Sequence, residues 1–330
     1  MSSAHQARSF AESAGRAPEL KGQFTVLRPL GTQLWSHVRP LTAQQRFLFF
    51  AGSLLLASGI IHSVIAVGAL ASGEDWLGPL SWRKPVVFGL SFGMLSLTVA
   101  WVLRLLPHKR RGWIPTVLIG VFSLTEVTVI TLQKWRGVPS HFNTATDFDA
   151  NVFGIMAISV LLVVVGLVLL LVWVLLQFRG NGGERLAVII GLVSLLAAGY
   201  IGSDIISADQ AQLAATGEIP YEVVFGAEGS AKLSHFVGMH LIQFLAVLAI
   251  ITPERRRTAL VALGSVGGVA TFVSVTLTAY AGESWLAPAR AVGALGVVGI
   301  VISLVALALG LRSFASHHAK LQPQSPAPVG

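Results

Sequence analysis

Two histidines stand five positions apart, His235 and His240, in a mostly apolar stretch of the chain. Imidazole binds haem iron and transition metals, and it exchanges protons near neutral pH. In a regular helix, five positions rotate two side chains about 140° apart and separate them by about 7.5 Å, so the pair is not expected to share one metal ion. Each could instead ligate haem opposite a histidine of another helix, His62 or His141. The alternative is an interfacial His235 and a hydrogen-bonded packing role for His240.

A third histidine, His62, lies in the sequence Ser-Gly-Ile-Ile-His-Ser at 58–63. Its small neighbours allow a cofactor or another helix to approach closely. The pattern fits a haem-binding face and a tightly packed, hydrogen-bonded histidine equally well, and both interpretations stay open at this point.

A single acidic residue, Glu126, interrupts the apolar run around Leu-Thr-Glu-Val-Thr at 124–128. An ionisable group at membrane depth is costly and is retained where it is paired, solvated or useful. We therefore expect Glu126 to act as a proton donor or acceptor in catalysis. The competing interpretation is a structural hydrogen bond, or an ion pair with Arg83 or Lys84.

The segment 133–147 combines cations, an imidazole, an amide, hydroxyls and a carboxylate with glycine and proline. Gly and Pro turn or stiffen such a connector, and dense polar chemistry on a constrained loop is typical of a binding surface. His141 and Asp147 are the candidate catalytic residues of this loop. The alternative is a cap that seals the bundle through hydrogen bonds and salt bridges.

The composition identifies the elements that position these residues. Of the 330 residues, 54% are hydrophobic and only 12% are charged, with a mean hydropathy of +0.73, whereas soluble domains carry roughly 25% charged residues. The net charge of +8 is spread between hydrophobic runs rather than clustered on one basic face, which argues against a nucleic-acid partner. Cysteine is absent, so any metal or haem must be held by histidine, carboxylate or methionine.

The apolar runs predict an all-α integral membrane protein, a bundle of about eight transmembrane helices. Each run is close to the roughly 20 residues needed to cross 30 Å of hydrocarbon. The predicted spans are 47–71, 85–106, 114–132, 152–178, 186–206, 235–251, 258–281 and 290–312. The sixth span is the shortest and carries His235 and His240.

The distribution of Lys and Arg orients the predicted spans. The two tails and the loops on their side hold 17 of the 23 basic residues, which predicts that both termini are cytoplasmic. The domain organisation is a cytoplasmic tail at 1–45, a transmembrane domain at 46–312 and a disordered cytoplasmic tail at 313–330. The polar residues at membrane depth fall near the opposite, outer face, so we expect a functional cavity that opens there.

Three stretches carry a resemblance: Ser-Trp-Arg-Lys-Pro at 81–85, Arg-Gly-Val-Pro-Ser-His-Phe-Asn at 136–143, and His-Phe-Val-Gly-Met-His-Leu-Ile-Gln at 235–243. Together they resemble a family of uncharacterised bacterial multi-pass membrane proteins. The resemblance implies a multi-pass protein of the bacterial cytoplasmic (inner) membrane, and it implies no activity.

The leading functional hypothesis is a membrane oxidoreductase with an outward-facing site. Haem b or a metal would be held by histidines, Glu126 would handle protons, and a quinone or another lipid-soluble substrate would be the partner besides the lipid bilayer. The proposed ligands are His62, His141, His235 and His240. Two alternatives stay open: a small proton-coupled transporter, and a membrane interaction protein whose histidines are structural.

Overall fold

The computed structural model describes residues 21–221 and 230–321, and within these ranges the chain is helical with short connections. A 3₁₀ turn at Arg110–Gly112 leads into the helix that begins at Trp113. The helices are α1 (Lys21–Val38), α2 (Ala43–Ala71), α3 (Arg83–Arg104), α4 (Trp113–Trp135), α5 (Asp147–Gln177), α6 (Gly182–Thr216), α7 (Ser230–Ile251), α8 (Glu254–Tyr280) and α9 (Arg290–Leu321).

Eight of these helices, α2 to α9, are long and apolar enough to cross a membrane. The predicted all-α fold with eight helices able to span a membrane is thereby confirmed. The boundaries differ from the predicted ones because polar residues extend several helices beyond their hydrophobic runs. Thus α5 begins at Asp147 instead of 152, and α6 continues to Thr216 instead of 206.

Consecutive helices from α2 to α9 run in opposite directions, so their connections lie at two opposite ends of the bundle. We call the end that holds the connections 72–82, 136–146 and 281–289 the Trp135 end, since Trp135 closes α4 there. The opposite end, where α4 begins, is the Trp113 end. The residues singled out in the 133–147 segment therefore lie at the Trp135 end.

Two helices begin with a reciprocal pair of hydrogen bonds that the sequence encodes. At α2, Thr42 accepts from the backbone N–H of Gln45, whose side chain in turn accepts from the backbone N–H of Thr42. Asn181 and Glu184 repeat the arrangement at α6. Both pairs satisfy backbone donors that a helix start would otherwise leave without partners.

The α2–α3 contact is built on glycine. A Cβ atom at Gly89 would lie 2.8 Å from the backbone of Gly59, and one at Gly93 would lie 2.8 Å from the backbone of Leu56. Small residues let helix backbones approach this closely in lipid, where packing drives association. The two helices therefore form a tight pair that fixes the start of α3 at the Trp135 end.

The helices form two groups in chain order, α2 to α5 and α6 to α9, each held by contacts between consecutive helices. The groups meet where α5 packs on α6 and where α3 packs on α7. A shared apolar core includes the fully buried Trp101, Leu170 and Leu245. Residues on α4 and α7 thus lie in different groups, with α3 between them.

Helix α1 occupies part of the chain that the sequence assigned to the N-terminal tail 1–45. It is tied to the Trp113 end, because the Gln33 amide donates to the Ile250 carbonyl at 2.7 Å and Arg104 donates to the Ser36 carbonyl at 2.8 Å. At the other terminus, α9 continues to Leu321, inside the predicted tail 313–330. Residues 1–20 and 322–330 of these tails lie outside the described residues.

Candidate functional site

The buried face of α4 carries a row of polar side chains through the bundle. At 100° per residue, its members fall within an arc of about 100° on the helix surface. All are at most 1% exposed: Thr116, Ser123, Glu126 and Gln133. Four buried polar groups on one face of a helix that is apolar enough to span a membrane mark this face as a candidate functional site.

Neighbouring contacts place Glu126 along this face. On one side, Ile119 packs against Gly166 of α5; on the other, Ile130 clusters with Met156 of α5. Glu126 lies between these two contacts in the same stripe, roughly 20 Å along the helix axis from Trp113. The carboxyl group therefore sits deep in the bundle at the α4–α5 contact, in the region where a membrane would be driest.

Two polar atoms on this face lack hydrogen-bond partners among the described residues. They are Oε2 of Glu126 and Oγ of Ser123, and both are buried. Residues three apart on a helix have Cβ atoms about 5–6 Å apart, so one bridging molecule can reach both groups. Buried polar atoms are almost always hydrogen-bonded, and an exception indicates strain, catalysis or a bound water or ion. The pair thus marks a place where a proton carrier or solute can bind.

A fully bonded polar network closes the same face at the Trp135 end. Its centre is Asp149, 3% exposed, whose carboxylate accepts from Gln133 at 2.9 Å, from Arg136 at 2.5 Å and from the Thr146 hydroxyl at 2.7 Å. Arg136 also donates to Oε1 of Gln133. The backbone N–H of Asp149 donates to Thr146, so Thr146 caps α5. This network joins the end of α4 to the start of α5.

The acidic residue of this network is Asp149, and the sequence analysis chose Asp147. Asp147 is exposed on the first turn of α5. Two positions along a helix turn the side chain by about 200°, so only one of the pair can face α4. The helical periodicity of the sequence could have identified Asp149, because this position lies on the same face of α5 as the buried Val152 and Met156.

His62 is bound at both ring nitrogens. Nδ1 lies 2.7 Å from the Ser58 carbonyl and so donates to it, while Nε2 accepts from the indole N–H of Trp135 at 3.1 Å. The ring stacks on Trp82, with centroids 5.8 Å apart and planes at 24°. These contacts define a neutral histidine whose only lone pair is already used. The arrangement matches the packed, hydrogen-bonded alternative for His62.

His235 and His240 point to different helices. Nδ1 of His235 donates to the Ala198 carbonyl of α6 at 2.6 Å, whereas Nε2 of His240 lies 3.2 Å from the hydroxyl of Ser91 on α3. The expected divergence of two side chains five residues apart is therefore present. His240 links the two helix groups, because α7 and α3 belong to different ones.

His141 lies in the 136–146 connection beside aromatic rings. Its Nδ1 is 2.9 Å from the Ser140 hydroxyl, and Phe88 and Phe153 have ring centroids about 6 Å away, at 6.2 and 6.1 Å. Burial, with a smaller contribution from the Lys84 ammonium, lowers the pKa of His141 well below its ordinary 6.5. His141 is therefore a neutral imidazole at physiological pH.

Within residues 21–221 and 230–321, no three histidine or acidic side chains lie close enough together to hold a metal ion. The four histidines proposed as ligands are distributed over separate contacts: His62 with Trp135, His141 with Ser140, His235 with Ala198 and His240 with Ser91. The arrangement lends no support to a shared metal or haem site. The oxidoreductase function and the catalytic role of His141 stay predictions.

The three stretches that carry the family resemblance are partly brought together. Residues 81–85 and 136–143 lie side by side at the Trp135 end, next to Lys134. Residues 235–243 lie on α7 and contact α3 through His240. The chain matches no model of a known protein family, no curated protein and no solved structure.

Proposed function

We propose that this protein is a proton-coupled membrane carrier in which Glu126 takes up and releases the transported proton. The observation that carries the proposal is the position of its carboxyl group. It is 1% exposed, lies on the buried face of a membrane-spanning helix, and has an oxygen without a hydrogen-bond partner among the described residues.

The physical argument rests on the cost of burying a charge. An ionised carboxylate without a partner in an apolar interior costs several kcal/mol, whereas the protonated acid is tolerated. Glu126 therefore changes its charge only when water, a cation or a rearranged helix reaches it. This coupling between proton occupancy and structure is what a proton-coupled carrier needs.

The polar groups of α4 support a route on both sides of Glu126. Toward the Trp135 end, Gln133 and the Asp149 network lie about 10 Å further along the helix axis. Toward the Trp113 end, Ser123 lies about 5 Å away and Thr116 about 15 Å away. Gaps of this size exceed a hydrogen bond, so passage of a proton needs water molecules or movement at the α4–α5 contact.

The proposal also includes the orientation of the protein and the membrane in which it lies. The excess of Lys and Arg at the Trp113 end supports an orientation with both termini in the cytoplasm and the Trp135 end outside. The resemblance of the three stretches supports the bacterial inner membrane.

The experiment is proton movement in proteoliposomes that contain a pH-sensitive dye. Solutes are added outside in chemical classes: inorganic anions, carboxylates, amines and sugars. We expect one class to change the internal pH in wild-type vesicles, and we expect Glu126→Gln to abolish this change.

The matched control is Glu184→Gln, since Glu184 is a buried glutamate that is ion-paired with Arg257 at 3.2 Å and lies at the Trp113 end. Provided that this variant reconstitutes, its solute-dependent pH change should remain. A pH change that is equally large in Glu126→Gln and wild type would refute the role of Glu126.

A further inference from the structure

An open groove lies at the Trp113 end between α1 and the last turns of α9. It holds about 590 Å³, within the range of about 300–1,000 Å³ that is usual for ligand-binding sites. His318 of α9 forms part of one wall, and a face of α1 forms the other. The α1 residues recur at the spacing of one helix face: Arg28, Pro29, Thr32, Gln33, Ser36 and His37.

The wall of this groove is polar and basic. Arg28 is exposed there. His37 and His318 each use Nδ1 within their own helix, donating to the carbonyls of Gln33 at 2.9 Å and Phe314 at 3.2 Å. Nε2 of both rings therefore stays available, and a protonated imidazole donates from this atom. The described residues that line the groove include no acidic side chain. Such a set of donors favours an anionic ligand.

The end of α1 opposes this preference, and Arg104 offsets the opposition. The helix dipole places partial negative charge on the last carbonyls of α1, close to the groove. The Arg104 guanidinium of α3 donates to two of these carbonyls, those of Ser36 at 2.8 Å and Arg39 at 3.0 Å. Arg104 therefore supplies a positive charge where the dipole alone would repel an anion.

An aromatic contact indicates the depth of α1 relative to a bilayer. The Trp35 ring packs edge-on against Phe49, with centroids 5.8 Å apart, and Phe49 lies near the start of the apolar run of α2. Trp35 is nevertheless 53% exposed. A tryptophan at the end of an apolar run is typical of the headgroup layer. The groove, formed by neighbouring residues of the same helix, therefore lies at headgroup depth.

We propose that this groove binds the headgroup of an anionic phospholipid, with Arg28 and the two histidines around its phosphate. Basic sites between membrane helices on the cytoplasmic side bind such headgroups. The excess of Lys and Arg at the Trp113 end attracts anionic lipids to the same surface. A lipid fits better than a soluble anion because the basic wall coincides with headgroup depth. The inference is independent of the role proposed for Glu126.

The test uses the full chain, purified in detergent and stripped of lipid, with thermal stability as the readout of binding. Dihexanoyl phosphatidylglycerol is compared with dihexanoyl phosphatidylcholine, which has the same chains and no net charge. In a second arm, inorganic phosphate is titrated against sodium chloride of equal ionic strength. We expect saturable stabilisation by phosphatidylglycerol, and neither phosphatidylcholine nor inorganic phosphate should match it.

Two variants locate the site. Arg28→Gln should weaken the binding of phosphatidylglycerol by about five- to tenfold, the loss expected for one charge-assisted hydrogen bond. Thr32→Trp places a large ring in the groove and should abolish the stabilisation; Thr32 is exposed, so the fold should tolerate the change. The control is Arg111→Gln, which removes an exposed arginine at the same end but outside the groove and should bind as wild type does.

Three results would overturn the proposal. Equal stabilisation by phosphatidylcholine would show that the acyl chains bind without recognition of charge. Equal stabilisation by inorganic phosphate would show a site for a free anion. Wild-type affinity for phosphatidylglycerol in both Arg28→Gln and Thr32→Trp would place the lipid elsewhere on the protein.

Discussion

The indole N–H of Trp135 donates a hydrogen bond to Nε2 of His62 across 3.1 Å. Because Nδ1 of the same ring donates to the Ser58 carbonyl, His62 is a neutral histidine with both nitrogens in use. The contact ties the end of α4 to α2 and holds Trp135 against Trp82, with ring centroids 5.2 Å apart. This relationship explains a membrane-depth histidine by packing and hydrogen bonding.

His62→Ala should therefore destabilise the protein. The change removes a ring that is 93% buried and leaves a cavity, and we expect a loss of about 2–3 kcal/mol. Trp135→Phe removes one hydrogen bond and should cost about 1 kcal/mol. Thermal unfolding in detergent measures both, with the exposed Trp285→Phe as control. Loss of a stoichiometric metal or haem band from His62→Ala, at unchanged stability, would contradict the structural role.

Asp149 and Asp147 form a natural pair for a second experiment. Asp149 is buried and accepts from the buried Gln133 amide as well as from Arg136, so Asp149→Ala leaves the Gln133 N–H without its acceptor and should cost about 2 kcal/mol. Asp147 is exposed two residues earlier, and Asp147→Asn should leave stability within about 0.5 kcal/mol of wild type. Chemical or thermal unfolding of the two variants in the same detergent gives the comparison. Equal destabilisation would show that the network around Asp149 does not hold α4 to α5.

His141 gives stability a dependence on pH. Its pKa is lowered in the folded protein from an ordinary 6.5, so below about pH 6.5 the unfolded chain binds a proton that the folded chain does not. Stability therefore falls as the pH decreases below this value, by up to about 1.4 kcal/mol per pH unit for this group. Above about pH 6.5 both states are neutral at His141, and its contribution is constant.

His141→Gln should make the loss of stability in acid shallower, because the variant has no proton to bind at this position. The check is the midpoint of thermal unfolding between about pH 5 and 8 for wild type and variant. His317→Gln, at an exposed position near the end of α9, serves as control and should retain the wild-type slope. Parallel profiles for His141→Gln and wild type would mean that His141 titrates alike in the folded and unfolded chains.

The absence of cysteine makes the proposed orientation simple to measure. Single cysteines at the exposed positions Thr144 and Ser316 probe the Trp135 end and the opposite end, respectively. In intact bacterial cells, a membrane-impermeant thiol reagent should label Thr144→Cys and should label Ser316→Cys only after the cells are opened. The reverse pattern would invert the proposed topology.

The sequence predicts the helices better than their contacts. Hydropathy identified all eight helices that are long and apolar enough to span a membrane, because about 20 consecutive apolar residues are needed to cross a bilayer and few soluble structures use them. Helix α1 was missed, since it carries no long apolar run and Pro29 interrupts its pattern. Its contacts with Ile250 and Arg104 depend on other helices, which a local pattern does not report.

For the candidate site too, the sequence indicated the residues but not their contacts. Glu126 was identified because a carboxylate inside an apolar run is conspicuous at any orientation. His62 and His240 were singled out as imidazoles inside apolar runs, but their partners, Trp135 and Ser91, lie on other helices. Depth follows from position along the chain, whereas the direction of a side chain around its helix depends on packing. The sequence could therefore predict a similar depth for the four histidines, but it could not predict whether their side chains contact one another.

The most direct measurement of the central claim is a pH-difference infrared spectrum of reconstituted protein in the carboxylic-acid C=O region. We expect a band from protonated Glu126 that shifts in D₂O, responds to a pH step and is missing in Glu126→Gln, while Glu184→Gln retains it. Such a band would establish a buried carboxyl group that exchanges its proton with water. If wild type and Glu126→Gln give the same spectrum, Glu126 does not exchange protons and the proposed carrier mechanism is wrong.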